Sequence, residues 1–465
     1  MAAEIPGSGG IAALLALIEE TFPLPRRFRA GLPADVAELS RLLTNARPER
    51  EAGYLGRPGF LSAYLRYFLP WNVFRLHRLL SLDAVPLPAL SDGDAVTDLG
   101  SGPLTLPVAL WLARPELRKL HLEFRCVDHT GAALDAGKKL FLALTEKNKN
   151  PRTGGTPESG SGWIIKTIRG PLDVPVYGGG AKLVGAVNVF NEVYPHGPPG
   201  EGAEEAADLL NSLCVPDGAV FAVEPGNPRG GVFIAGLRSA LLERKRQPLA
   251  PCPHHGRCPL PGGRGPDSAA AYRRPGGNRG GKAKWCHFAF DTRSAPAALC
   301  RLSEEAGIPK ERAAVSFLLA GPAAPSADLK RIRDNAPSMD LKRMRDNAPP
   351  PAAAPSADLK RIHDNAPSMD LKRIRDTAPP PAAASPADVK RVRVISDAFP
   401  LLLTAGGQWG RYGCSGQGLV LVAGNRREME KAESGSLLEL PFPKDGKRDP
   451  KTGALVIRSR ETAFS

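Results

Sequence analysis

From Asp94 onward, short apolar runs alternate with glycine-containing turns and amphipathic stretches, and this alternation restricts the fold more than any other feature of the chain. Apolar runs of about four to eight residues bounded by turn residues read as buried strands; the longer stretches between them read as crossover helices. The expected strands are Ala95–Leu99, 122–127, 163–168, 183–190, 219–223, 314–320 and 418–422. Alternating strands and helices build a mostly parallel sheet covered on both faces. The expected class is therefore α/β, a doubly wound seven-stranded Rossmann-like sheet.

Such sheets bind ligands beyond the carboxyl ends of their strands. The first strand ends in Asp98-Leu99-Gly100-Ser101-Gly102-Pro103, and a helix-like apolar stretch starts at Leu104. Two glycines allow a tight turn and close backbone approach, and a helix start aims free N–H groups at the ligand. A dinucleotide fingerprint would place a third glycine where the chain has Thr105, which disfavours a nicotinamide dinucleotide. The second strand ends in Asp128, whose carboxylate is placed to accept hydrogen bonds from two ribose hydroxyls. Capping of the following helix is its plainer alternative role. The fourth strand runs into Asn191-Glu192-Val193-Tyr194-Pro195. An S-adenosylmethionine-dependent methyltransferase core fits this pattern best, with Asp98, Gly100, Ser101, Gly102, Asp128 and Asn191 as the expected cofactor contacts.

Seven cysteines at irregular spacing argue against a disulfide framework. Cys126, Cys214 and Cys300 lie in strand or helix contexts, where cysteine is usually a small core residue. The other four sit among proline and glycine: Cys252 and Cys258 in Pro251-Cys-Pro-His-His-Gly-Arg-Cys-Pro259, Cys286 in Lys284-Trp-Cys-His-Phe288, and Cys414 in Gly413-Cys-Ser-Gly416. Four such thiols form a candidate metal site. Spacing does not separate zinc from an iron–sulfur cluster, and His254, His255 and His287 keep zinc open.

The first 90 residues read as helical. Asp35 is placed to cap a helix over 36–43, with Glu38 completing a capping box. Leu61, Tyr64, Leu65, Phe68, Phe74, Leu76 and Leu79 keep helical spacing across 60–82, with Pro70 forcing a break. For Tyr64, Tyr67, Trp71 and Arg75, packing against the next domain is expected over stacking on nucleobases.

Late in the chain Asp-Leu-Lys-Arg starts at Asp328, Asp340, Asp358 and Asp370 and returns as Asp388-Val-Lys-Arg, at spacings of 12, 18, 12 and 18 residues. Each unit offers only Leu and Ile or Met between prolines, too little apolar surface for a stacked array. Residues 325–391 are therefore expected to be a disordered charged insertion. A second low-complexity stretch, 257–284, is rich in Gly and Arg. It carries +6 and residues 325–393 carry +5 of the net +14, so the remainder is close to neutral. Basic flexible segments hold RNA phosphates through counterion release; a solvated spacer is the other reading. The expected organisation is a helical domain at 1–90, a first core part at 91–245, a cysteine-rich region with the Gly/Arg insertion at 246–300, the sixth-strand region at 301–324, the repeat at 325–391, and the last strand and tail at 392–465.

Tyr67-Phe-Leu-Pro-Trp-Asn72, Asp98-Leu-Gly-Ser-Gly-Pro-Leu-Thr-Leu-Pro107, Asn188-Val-Phe-Asn-Glu192, Val223-Glu-Pro-Gly226 and the two cysteine segments together resemble bacterial relatives of the mitochondrial methyltransferase-like assembly factor of the small ribosomal subunit, the Rsm22-type family. The resemblance implies a methyltransferase fold, a 4Fe–4S cluster on Cys252, Cys258, Cys286 and Cys414, a cofactor site including Gly100, Gly102 and Asp128, and association with the small ribosomal subunit and its rRNA. The Gly/Arg stretch separates the second and third of these cysteines, and the repeat the third and fourth. Closure entropy grows only slowly with loop length, so the four can still meet. Strands 314–320 and 418–422 are expected side by side.

Methyl transfer needs an aligned nucleophile and an outlet for its proton. Adenine amino-methyltransferases carry Asn or Asp, two prolines and an aromatic after the fourth strand, whereas this chain has Asn191-Glu192-Val193-Tyr194. Glu192 is the candidate base, with pocket shaping as its alternative. Two functions follow: an rRNA methyltransferase, or an assembly factor that keeps the cofactor without turnover. A zinc-stabilised methyltransferase of another substrate stands third. The apolar run 11–18 is shorter than the roughly 20 residues of a membrane span, and no basic residue precedes Arg26. No membrane association is expected, and a cytoplasmic monomer is.

Deleting residues 325–384 is expected to leave the fold intact and to change unfolding free energy by no more than about 2 kcal/mol, because a roughly tenfold shorter connection is little more than three halvings at about 0.6 kcal/mol each. Urea unfolding measures this. A loss of several kcal/mol would show that the repeat packs.

Overall fold

Eight strands form the main sheet: β1 (Ala95–Leu99), β2 (Leu122–Asp128), β3 (Trp163–Arg169), β4 (Ala181–Val187), β5 (Cys214–Pro225), β6 (Arg246–Ala250), β7 (Phe288–Asp291) and β8 (Arg312–Pro322). Their order is β3-β2-β1-β4-β5-β8-β6, with β7 also paired to β8. The computed structural model describes residues 8–44, 46, 49, 53–82, 85–147, 162–194, 201–263, 284–322, 389–401, 408–443 and 446–458. Residues 1–323 and 390–464 make one unit. The repeat over 325–388 and the Gly/Arg-rich stretch over 264–283 lie outside the described residues.

The five strands from β3 to β5 run parallel, and β8 enters antiparallel beside β5. Burial on both faces follows from alternation. Along β5, Ala219, Phe221 and Val223 join one apolar cluster while Val220 and Ala222 join the other. Helices Thr105–Ala113 and Gly131–Lys147 contribute to the first cluster, and Ala203–Ser212 and Pro228–Glu243 to the second. Strand order reverses between β1 and β4, the position where open α/β sheets form a crevice.

A second sheet contains β9 (Val389–Val394), β10 (Phe399–Pro400), β11 (Trp409–Ser415), β12 (Gly418–Gly424), β13 (Leu437–Pro441) and β14 (Leu455–Arg458), in the order β13-β9-β11-β12-β14 with β10 beside β11. This corrects the expectation that 418–422 pairs beside 314–320 in the main sheet. The place at the sheet edge is taken by β6, where Arg246 and Pro248 interrupt the apolar run; proline is tolerated on an edge strand. Strand β9 also takes in the Val-Lys-Arg of the last repeat unit, so the insertion ends before 391.

Three local expectations change. The fourth strand stops at Val187 rather than continuing to 190, because Asn188 turns to φ 58 and a short helix, Phe190–Val193, begins. Asp35 lies inside the first turn of helix Leu32–Thr44, and Glu38 pairs with Arg41 instead of closing a capping box. Pro70 does not break its helix. The chain passes from Pro58–Ala63 through a π-helical turn, Tyr64–Phe68, into Leu69–Leu80, which puts Pro70 in a first turn where its missing N–H is harmless.

Helix Gly131–Lys147 crosses the glycine turn at Gly137, where a Cβ would lie 2.4 Å from the Pro103 carbonyl carbon and 2.7 Å from Leu104 Cδ1. Gly137→Ala gains up to about 1 kcal/mol of helix propensity but forces backbone apart, an overpacking cost of about 1–3 kcal/mol. Net destabilisation in denaturant unfolding is expected; a stabilised variant would contradict this close approach.

Candidate functional site

The turn after β1 is built from left-handed backbone. Gly100 has φ 61, and a Cβ there would meet Val189 Cγ2 at 2.5 Å; Gly102 has φ 52 with open space where its Cβ would stand. Leu104, fully buried, holds φ 58, a strained conformation that sequence reading missed. Strand β2 fastens the turn. Ser101 N–H donates to Val127 O at 2.9 Å, Gly102 N–H to Asp128 Oδ2 at 2.9 Å, and Thr130 N–H to Asp128 Oδ1 at 2.8 Å. Asp128 thus ties the glycine turn to the start of its own helix, and each carboxylate oxygen keeps a second lone pair.

Asp98 is buried beneath this turn. Ser101 Oγ donates to Asp98 Oδ2 at 2.5 Å, while Oδ1 is buried without a partner among the described residues. Burial pushes this carboxyl up to about 7, with the Ser101 hydrogen bond opposing and the Asp128 charge adding to the rise. At the end of β5, Glu224 is also about 1% exposed. Its oxygens accept the backbone N–H of Phe190 at 2.9 Å and of Asn191 at 3.2 Å, clamping the loop after β4. Burial raises Glu224 to about 7 against those hydrogen bonds. Asn191 and Glu192 are therefore held at the strand ends by a carboxyl that sequence reading did not select.

The N-terminal helices roof this region. Burial, then the charges of Glu192 and Asp128, raise the Tyr64 hydroxyl, which has Asn72 and Thr105 as hydrogen-bonding neighbours. Arg75 Nη1 donates to Asn72 Oδ1 at 2.7 Å. The expected packing role holds for Tyr67 and Trp71: Trp71 Nε1 donates to Ser303 Oγ at 3.2 Å and the Tyr67 hydroxyl to Ile308 O at 3.4 Å. Tyr64 packs against the main core and lies near the charges of Glu192 and Asp128, and Arg75 lies beside Tyr64 and Tyr67.

Cys252, Cys258, Cys286 and Cys414 line one cavity, with Arg238, Arg393, Phe288 and Phe317 among the walls. Cys414 reaches it from β11, whose Tyr412 and Cys414 face the main core. Burial raises all three of Cys258, to about 11, Cys286 and Cys414; the charges of the neighbouring thiols add to each rise. Cys126 and Cys214 are core residues, as expected. Among the described residues no three His, Cys, Asp or Glu side chains close on a single ion position. Arg238 Nε donates to Cys252 Sγ at 3.1 Å, and Cys414 Sγ lies 3.8 Å from His254 Nε2. Burial lowers His254 to about 4 and Arg393 to about 10; the Cys252, Cys286 and Cys414 charges resist the Arg393 shift. Sequence reading missed both arginines. The signal was a charge inside an apolar pattern, Leu237-Arg238-Ser239-Ala240 on a buried helix and Val392-Arg393-Val394 on a strand.

The family model described as mitochondrial small ribosomal subunit Rsm22 matches residues 201–336. Over those residues the chain is similar to that family. The Rsm22 match includes Glu224, Cys252, Cys258 and Cys286 and leaves Cys414 and the glycine turn outside. No curated protein matches the sequence. A S-adenosylmethionine-dependent methyltransferase from Geobacter sulfurreducens, in complex with S-adenosylhomocysteine, is similar at 15% identity over 54% of this chain and 90% of that one, with TM-score 0.27. One from Thiobacillus denitrificans with the same ligand is similar at 17% identity and TM-score 0.22 over 35% of this chain; the match spans about half, 53%, of that protein. A putative methyltransferase of Haloferax volcanii in complex with the Trm112 activator is similar at 14% identity over 55% and 91% of the two chains, with TM-score 0.26. Among the described residues no helix is long and apolar enough to cross a membrane.

Asp98 and Glu224 set a pH dependence. Each binds its proton more tightly folded than unfolded, so the stability it contributes is complete below about pH 4 and declines as pH rises through about 7. Asp98→Asn should flatten the decline in urea midpoint between pH 5 and 8; an unchanged slope would show that Asp98 is ionised in the fold.

Proposed function

We propose that the chain is an S-adenosylmethionine-binding, methyltransferase-like protein that acts on the small ribosomal subunit and carries a 4Fe–4S cluster on Cys252, Cys258, Cys286 and Cys414. The observation carrying this reading is that four thiols far apart in sequence line one cavity in the same unit as a glycine turn fastened by Asp128. The match to the Rsm22 family model supports the small ribosomal subunit as the partner, and contact with its rRNA is part of the proposal.

The turn fits the cofactor. Asp98 Oδ1 is an orphaned acceptor beneath it, and open space stands beside Gly102. S-adenosylmethionine, when bound, supplies an electrophilic methyl group. Gly100 and Gly102 let the backbone approach it, Ser101 orients Asp98, and Asp128 offers its remaining lone pairs to ribose hydroxyls. Asn191 and Glu192, clamped by Glu224, edge the space where a methyl acceptor would lie. Glu192 is the candidate to take the acceptor's proton.

Four thiols lining one cavity are a donor set that fits a 4Fe–4S cluster or zinc; the resemblance to the Rsm22-type family favours the cluster. The four thiols come from distant parts of the chain and meet only in the folded protein, so metal binding and folding would be linked.

Anaerobically purified chain is expected to hold iron and sulfide in 4Fe–4S proportion, to co-sediment with small subunits, and to bind S-adenosylmethionine in calorimetry. Asp128→Ala should weaken that binding by about 1–3 kcal/mol, since hydroxyls are left unpaired; parent-like affinity removes Asp128 from the site. Transfer of labelled methyl to small-subunit rRNA identifies an enzyme, and binding without transfer an assembly factor.

A further inference from the structure

Arg238 stands on the tenth residue after the first of helix Pro228–Glu243 and is about 2% exposed. Its guanidinium spans the cysteine loop: Nε donates to Cys252 Sγ at 3.1 Å, and Nη2 to the carbonyls of His254 at 3.0 Å and Gly256 at 2.6 Å. Nη1 is buried without a partner among the described residues, and Arg238 lines the cavity. Arg393 enters from the opposite element, donating to Pro251 O at 2.8 Å and Gly435 O at 2.7 Å. These polar partners are a thiol and backbone carbonyls, with no carboxylate among them. A buried cation without a counter-charge is costly, and the thiols of the cavity are the groups placed to supply one.

We propose that Arg238 is the positioning residue of the cysteine cavity, orienting Cys252 and its loop and, together with Arg393, neutralising the four thiolates once they hold metal. This rests on the metal reading above. Four thiolates around a doubly charged core, whether a 4Fe–4S cluster or zinc, leave a net 2−, and two guanidiniums cancel it. The unpartnered Nη1 supplies one more N–H donor toward the sulfur-rich surface. Partners outside the ligand set commonly change metal affinity by 10–100-fold.

The test uses full-length chain purified anaerobically as parent, Arg238→Gln and Arg238→Lys, with metal retention followed under chelator competition. Gln removes both the charge and the fork; Lys keeps the charge but cannot span a thiol and two carbonyls. Retention is expected to fall roughly 10–100-fold in Gln and by less in Lys. Where the metal is iron, the midpoint potential should move negative in Gln, because a lost positive charge disfavours the added electron, and stay near parent in Lys. A merely structural arginine would not sort the potentials by charge. Parent-like retention in Gln, or equal potentials in Gln and parent, overturns the proposal while leaving the metal reading standing. Parent protein without iron or zinc overturns the metal reading itself. If Gln does not fold, Lys decides: retention equal to parent overturns the proposal.

Discussion

The alternation of side chains along β9 and β11 is the constraint on which the thiol cavity depends. In β9, Val392 and Val394 point into the second sheet's own core, which leaves Arg393 between them on the side facing the main body. In β11, Tyr412 and Cys414 share the main core for the same reason. A shift of one residue in either strand would turn the charge and the thiol into the wrong core, so valine packing in one layer sets the chemistry in another. Gly413 makes the pairing possible: a Cβ there would lie 2.3 Å from Val392 Cγ1.

The parallel half of the fold was legible because its strands are continuous apolar runs and its turns contain glycine. Ala95–Leu99 matches its strand, and 122–127 and 163–168 each miss one terminal residue. The antiparallel half was legible only in part: 314–320 falls within β8. Arg246-Gln-Pro-Leu-Ala250 does not look like a strand until β8 supplies a partner, and 418–422 carries nothing that says which of two sheets it joins. Cys252, Cys258 and Cys414 were legible from their proline and glycine surroundings, and Cys286 from the Lys284-Trp-Cys-His-Phe288 segment that follows the Gly/Arg stretch. Their buried arginines were not, because a guanidinium in an apolar segment gains its meaning only from the anion it faces. Asp128 was placed correctly at a strand end, but its two backbone hydrogen bonds to the turn depend on a three-dimensional approach that spacing does not encode.

Both regions solve one physical problem in opposite ways. At the strand ends, Asp98 and Glu224 are buried acids that burial shifts toward the neutral form, surrounded by N–H and O–H donors. In the cavity the buried permanent charges are cations, and the groups beside them are thiols that burial keeps protonated. Desolvation disfavours charge in each place. An acid can respond by taking up a proton, but a guanidinium cannot deprotonate at physiological pH, so only the cavity calls for a counter-charge.

One element spans the two. Helix Pro228–Glu243 begins with Asn227 Oδ1 capping Gly230 N–H, directly after the strand that ends in Glu224. Gly230 sits against that strand end, where a Cβ would approach Pro225 O to 2.2 Å and Glu224 Cβ to 3.3 Å. Ten residues after Pro228, about 15 Å along the axis at 1.5 Å per residue, the helix delivers Arg238 to Cys252. Gly231 packs the same helix on Trp285, next to Cys286, with Trp285 Nε1 bound to Gly226 O at 3.1 Å. Glu224, which clamps the Asn191–Glu192 loop, and Arg238 of the thiol cavity are therefore joined by one short stretch of chain: the end of β5, the Asn227 cap and the first ten residues of the helix.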